Sequence, residues 1–362
     1  MTRWTEFPLF LFLILTMKLS AQDKDVDRIA STLKDDSILA PLRYLASDQL
    51  RGRHIGLHEI DTAARYIVRQ FRGVGAKPVP GTNSYYQVFK HIFDPADRRH
   101  IDRQVASNID FSEIRATTIK NILAFVRGTD PVLQNQFVIL SAHYDHAGVS
   151  RYATMVNGKL DSIFNGARDN ATGVAAVIAA AKYFALYPPR RSLLFICYSA
   201  EEEGEIGSRY YAEHPVIPLD HTIFNLNVDN AGYNTTHAIC LFGLGRTSAD
   251  SLIQKACGAY DLAVYREPPA LELFKRSDNY SLARVGIPAP CFSLGMKHWD
   301  EKVDNYYHQV SDEVETMDLD YVIKFVRAYI LSAEYIANDP SQPRWTAGDE
   351  FEKNWQALFK RP

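Results

Sequence analysis

Two histidines and an aspartate fall within four positions, His143, Asp145 and His146 in SAHYDHAG, directly after the apolar run FVIL. The same donor types recur at the ends of other apolar runs. Asp169 sits in the Gly-rich NGARDNATG, Glu201, Glu202 and Glu203 follow one another in SAEEEGEIGS, Asp229 lies in NVDNAG, and His308 in DNYYHQVSDE. Two imidazoles and several carboxylates brought to one place would repel and lose their solvation unless a cation sat among them. Divalent-metal chemistry is the economical expectation, because zinc accepts imidazole and carboxylate ligands.

The elements that must position these groups are read from the hydrophobic pattern. QFVILSAH (136–143), RSLLFICYSA (191–200) and HTIFNLNVD (221–229) are short apolar runs ending in polar residues, which suits strands buried on both faces. Between the first two lies GVAAVIAAAKYFALY (173–187), Ala-rich and closed by two prolines, which predicts a helix. Further helices are expected at about 248–260, at 318–337 and over HEIDTAARYIVRQFRGVG. The alternation predicts an α/β fold: a mixed, mostly parallel central sheet flanked by helices on both faces. In such sheets ligands bind at the carboxyl ends of the strands, which is where the donor residues fall. The polar stretch near 92–118 lacks periodicity and is expected to be a loop excursion.

With 362 residues, 46% hydrophobic and 23% charged, the chain has ample core, and a formal net charge of −3 without Lys/Arg runs argues against nucleic-acid partners. The N-terminal MTRWTEFPLFLFLILTMKLSAQ has Arg3, an apolar stretch from Phe7 to Met17 and small residues Ser20 and Ala21, the pattern of a secretory signal peptide over 1–21. An uncleaved anchor is the alternative, although the run is short for a membrane span. A single domain over 22–362 is expected, with an N-terminal part at 22–135 and a catalytic core at 136–340, in an exported protein of the periplasm or extracellular space without a stable membrane anchor. Cys197, Cys240, Cys257 and Cys291 allow two disulfides, although the apolar settings of Cys197 in LLFICYS and Cys291 in PAPCFSL equally suit buried free thiols, and no CxxC pair marks a metal cluster.

In order and spacing, His-x-Asp, Asp-Asn, Glu-Glu, Asp and Tyr-His resemble the co-catalytic di-zinc exopeptidases of the M28 (aminopeptidase Y) type. The stretches LASDQLRGRHIGLHEIDTAARYIVRQFRGVGAKP and RSDNYSLARVGIPAPCF extend the likeness over nearly the whole mature chain. Each motif alone is common; five in order are specific. The resemblance implies two zinc ions, one held by His143 and Asp229, the other by Glu202 and His308, with Asp169 bridging both. It also implies that Asp145 orients the His143 ring, that Glu201 is the general base acting on the attacking water, that Tyr307 donates to the developing oxyanion, and that the Asp169–Asn170 peptide is cis. His146 either lines the pocket or sits on the loop, Glu203 and Glu205 have surface or packing roles, and Asp161, His221, His237 and His298 have no motif context. Two departures stand beside the motifs: Arg168 before Asp169, where many members have a second acid, and Asn279 where the Ser-Asp-His block has histidine.

The implied activity is release of an N-terminal residue from peptides, since carboxylates around the metals can hold an α-ammonium. A carboxypeptidase is the nearest rival, if Arg276 or Arg168 clamps a terminal carboxylate. A single-zinc glutaminyl-peptide cyclotransferase and a non-catalytic binding relative are the others.

Overall fold

Every position of Phe137–His143, Ser192–Tyr198 and Thr222–Asp229 is buried, as strands covered on both faces require. A computed structural model describes residues 21–92, 116–156, 158–233 and 235–360. The expected signal peptide lies almost wholly outside the described residues, as does most of the 92–118 excursion. The strands are β1 Tyr86–Ile92, β2 Ala116–Val126, β3 Phe137–His143, β4 Gly148–Val156, β5 Lys159–Phe164, β6 Ser192–Tyr198, β7 Thr222–Asp229, β8 Ala238–Phe242, β9 Ala263–Arg266 and β10 Cys291–Ser293. The main sheet is eight-stranded, ordered β1-β2-β6-β3-β7-β10-β8-β9, and β4 and β5 form a separate hairpin. Its centre, β6-β3-β7-β10, is parallel, while β2 and β8 run antiparallel to their inner neighbours, β6 and β10.

Among the helices are α1 Ala21–Thr32, α2 Asp35–Leu45, α3 His58–Gly73, α4 Thr172–Leu186, α5 Ile206–Glu213, α6 Asp250–Gly258, α7 Asn279–Arg284, α8 Leu319–Asn338 and α9 Glu352–Phe359, together with a single turn at Glu301–Asp304. Alternation along the strands decides which helices meet which face. Val138, Leu140 and Ala142 of β3 pack in one apolar cluster with residues of α2, α3, α4 and α8, such as Leu42, Ile67, Val177 and Phe325. Phe137 and Ile139 pack in a second cluster with Tyr211 of α5, Leu282 of α7 and Trp355 of α9. Helices therefore cover both faces, the three-layer arrangement that the pattern predicts. In α4 every residue from Thr172 to Ala181 is buried, and its small alanines let the backbone lie close to the sheet. Burial of a side chain such as Val177 or Phe184 contributes about 1.5–3 kcal/mol.

The packed core reaches past residue 340. Trp345 is buried against Phe274 and Phe351, and α9 closes the second face. All four cysteines are buried and free, which answers the open choice in favour of thiols.

Candidate metal centre

The strand order turns back at β3. The chain leaves β3 through α4 to reach β6 on one side, and β7 then enters on the other side. That switch opens a crevice at the carboxyl ends. Register sets the depth of each donor. His143, the last residue of β3, pairs with Tyr198 of β6, and Ser141 pairs with Asn227 of β7, so Asp229 at the end of β7 is level with His143. Glu201 and Glu202 lie not on β6 but in the turn after it, which Ala200 enters at a φ of 60° and where Gly204 and Glu205 N–H groups both donate to the Glu201 carbonyl. The Asp145 carboxylate accepts from the backbone N–H of Glu201 and of Glu202, each at 3.2 Å, and so fixes that turn against the β3 end.

Asp169 comes from the loop before α4. Its Asp169–Asn170 peptide is cis, and the Asn170 amide donates to the Val228 carbonyl at 2.9 Å while its Oδ1 accepts from Gly173 N–H at 3.1 Å. A Cβ at Gly173 would stand 2.2 Å from that oxygen, and a Cβ at Gly166, where φ is +55°, would meet the Asp169 carbonyl at 2.1 Å. Only glycine fits either place.

The Nε2 atoms of two histidines converge on one carboxylate. His143 Nε2 lies 3.2 Å from Asp169 Oδ1 and His308 Nε2 lies 3.2 Å from Asp169 Oδ2. His143 Nε2 is also 3.3 Å from Asp229 Oδ1 and 4.0 Å from Glu201 Oε2, while His308 Nε2 is 3.3 Å from Glu202 Oε2. The Nδ1 of His143 faces the main-chain carbonyl of Asp145 at 3.2 Å, nearer than that residue's carboxylate at 3.9 Å. With the proton on Nδ1, Nε2 presents a lone pair to several carboxylate oxygens at once. Asp169 Oδ1 is buried and left without a hydrogen bond of good geometry. These donors fit zinc: a tetrahedral ion with bonds of about 2.0–2.1 Å separates its ligand atoms by about 3.3–3.4 Å.

The surroundings push the neighbouring carboxyls in opposite directions. Burial raises Glu201 well above the ordinary carboxylate range against the pull of His143, with Asp229 and Asp278 adding to the rise. Burial also opposes the charge on Glu202, but His308 and His146 outweigh it and hold Glu202 below its ordinary value. Asp169 is held well below by His143 and His308 despite its burial. Burial disfavours the charged form of His143, yet Glu201 and Asp229 raise it well above its ordinary value, which marks a place where positive charge is wanted.

Other residues surround the donors, and of these Asp312 and Arg53 carry no legible mark in the sequence. His146 points inward, its Nδ1 2.5 Å from Glu202 Oε1 and its ring edge-on to His308. Arg168, only 2% exposed, is wholly committed: its guanidinium binds Asp312, the Gly232 carbonyl, and the side chain and carbonyl of Thr316, and it packs on Tyr306. The Asp312 carboxylate also accepts from the N–H groups of Arg168 and Asp169, which holds the Asp169 loop in place. Buried Arg53 donates to the carbonyls of Leu45, Tyr144, Asn165 and Gly166, tying the two donor loops together. Asn279 bridges the Phe274 and Ala289 carbonyls, a structural use of the position that departs from the motif. Glu203 is buried against His54 at 3.3 Å, a packing role. Tyr307 stacks on His308 with ring centroids 4.0 Å apart.

A family profile described as Peptidase family M28 matches residues 121–332. A probable zinc metalloprotease of Pyricularia oryzae is 24% identical over 280 residues, covering 66% of this chain and 53% of that protein. A vacuolar membrane protease of Penicillium rubens is 32% identical over 120 residues, covering 32% of this chain and 12% of that protein. The matches thus span about half, or less, of the curated relatives' length. Among solved structures, an aminopeptidase from Aneurinibacillus sp. strain AM-1 superposes with a TM-score of 0.61 at 17% identity, covering 88% of this chain and 97% of that one. A Porphyromonas gingivalis glutaminyl cyclase does so with 0.59 at 14%, covering 84% and 98%. At these identities the likeness is one of fold.

Proposed function

The chain belongs to peptidase family M28, and on that footing we propose that it is a two-zinc aminopeptidase, exported as a single domain from residue 22 and acting on peptides. The observation that carries this is the pair of 3.2 Å approaches in which His143 and His308 each face a different oxygen of Asp169. His143, Asp229 and Asp169 would hold one zinc and His308, Glu202 and Asp169 the other, with His146 steadying the second oxygen of Glu202. Zinc bound there polarises the scissile carbonyl and makes water acidic enough to be deprotonated near neutral pH.

The residues of the chain do the rest. Glu201 stands farther from His143 than Asp169 or Asp229 does, which suits a base that takes a proton from the attacking water and returns it to the leaving amine. Tyr307, stacked on His308, would donate its hydroxyl to the charge developing on the carbonyl oxygen. Asp145 holds the Glu201–Glu202 turn through its carboxylate and the His143 ring through its carbonyl. The surrounding carboxylates suit an α-ammonium, and Arg168, spent on Asp312 and Thr316, is not available to clamp a terminal carboxylate.

Metal analysis of the purified protein, with hydrolysis of aminoacyl-arylamides, tests the proposal. Two zincs per chain and arylamide hydrolysis support it. One zinc with cyclisation of N-terminal glutamine favours a cyclotransferase, and full metal loading without any hydrolysis favours a binding protein.

A further inference from the structure

Arg276 differs from the other guanidinium beside the centre. Where Arg168 is buried and saturated, Arg276 is exposed and makes no ion pair with a described carboxylate; its side chain reaches the Tyr307 hydroxyl at 3.5 Å. On open surface that would mean only solvation. Arg276, however, lines a small pocket that also includes Asp229 of the metal centre and Tyr307. The buried Phe242, Leu273, Leu294 and Val303 supply its apolar interior, and Trp299, edge-on to Tyr307, supplies an aromatic wall.

Tyr307 lies between this guanidinium and His308, so Arg276 stands one aromatic ring away from the metal centre. A substrate whose carbonyl sits at the metals can send its adjoining side chain into the pocket. Apolar walls accept methylenes, and a planar guanidinium fork at the rim accepts a carboxylate. Among the residues that line the pocket Arg276 alone carries a positive charge, so it is the group there that would recognise a carboxylate. We infer that Arg276 selects a substrate carboxylate, borne on the side chain of the N-terminal residue, so that glutamyl and aspartyl peptides are favoured. The inference rests on the aminopeptidase function proposed above.

The test compares kcat/KM for glutamyl-, glutaminyl-, lysyl- and leucyl-arylamides in the zinc-loaded wild type, Arg276→Gln and Arg276→Glu, with zinc content checked in each. The wild type is expected to favour glutamyl over glutaminyl by roughly tenfold, the size of one charge-assisted hydrogen bond. That ratio should fall towards one in Arg276→Gln and invert in Arg276→Glu, which should gain on lysyl-arylamide. Leucyl peptides with free or amidated C-termini separate the two sources of a carboxylate: a preference confined to free ends, and lost in the same variants, overturns the side-chain assignment. A glutamyl-to-glutaminyl ratio near one in the wild type, or unchanged in both variants, overturns the inference while leucyl-arylamide hydrolysis leaves the aminopeptidase standing. Failure to cleave any arylamide counts against the aminopeptidase itself.

Discussion

Glu201 and Glu202 are adjacent acids in opposite surroundings. His308 and His146 hold Glu202 ionised against its burial, whereas burial and the nearby charges of Asp229 and Asp278 press a proton onto Glu201. Two carboxyls driven apart in this way suit the roles proposed for them, a charged ligand and a proton carrier. Glu201→Gln keeps the shape and removes the proposed base, so kcat should fall by roughly 10²- to 10⁴-fold with zinc content unchanged. Glu202→Gln should lose zinc instead, because a neutral amide replaces the oxygen 3.3 Å from His308 Nε2. Steady-state kinetics beside metal analysis separate the two variants. A Glu201→Gln enzyme that retains kcat would remove Glu201 from the role of base.

The donors are delivered by elements that differ in how plainly the sequence announces them. β3, β6, β7 and α4 were legible because burial on both faces demands unbroken apolar runs, and the residues that end those runs could be collected as one set. The hairpin β4–β5 and the short β9 and β10 were not, being brief and without a sustained period. Nor were the fastenings between loops, since a single buried Asp312 or Arg53 acts across more than a hundred residues and leaves no repeat to detect. Asp312 is the clearest case: it is fully buried, pairs with Arg168 and receives two backbone N–H groups of the Asp169 loop. Asp312→Ala therefore strands a buried guanidinium, at about 3–5 kcal/mol, and releases the loop. The expected outcome is a lower denaturation midpoint together with a zinc affinity weakened by roughly 10- to 100-fold, the range for groups that orient metal ligands. Zinc titration of the folded variant checks the second effect separately from the first, and unchanged affinity would mean that the Asp169 loop does not depend on this clamp.

A formal charge of −3 over 362 residues conceals a concentration of acid at one end of the sheet. Asp145, Asp169, Glu202, Asp229 and Glu201 crowd the carboxyl ends of β3, β6 and β7, with Asp278 buried close by, and burial raises the proton affinity of Asp145, Glu201 and Asp278. A cation bound among so many buried acids would offset their mutual repulsion, so zinc binding should be a term in the stability of the whole fold and not only in its chemistry. Zinc present at about a thousand times its dissociation constant adds roughly 4 kcal/mol to a state that alone binds it. For a chain of this size that is a rise of several degrees in Tm relative to protein in excess chelator, fully reversible on adding zinc back. Asp169→Asn sharpens the test. It replaces the carboxylate that both histidines face with a neutral amide, so the zinc-dependent rise should shrink to a small fraction while the chelated protein melts near the wild-type chelated value. Scanning calorimetry of both proteins in chelator and in zinc gives four midpoints, and equal wild-type midpoints in the two conditions would show that the acidic end is stable without a cation.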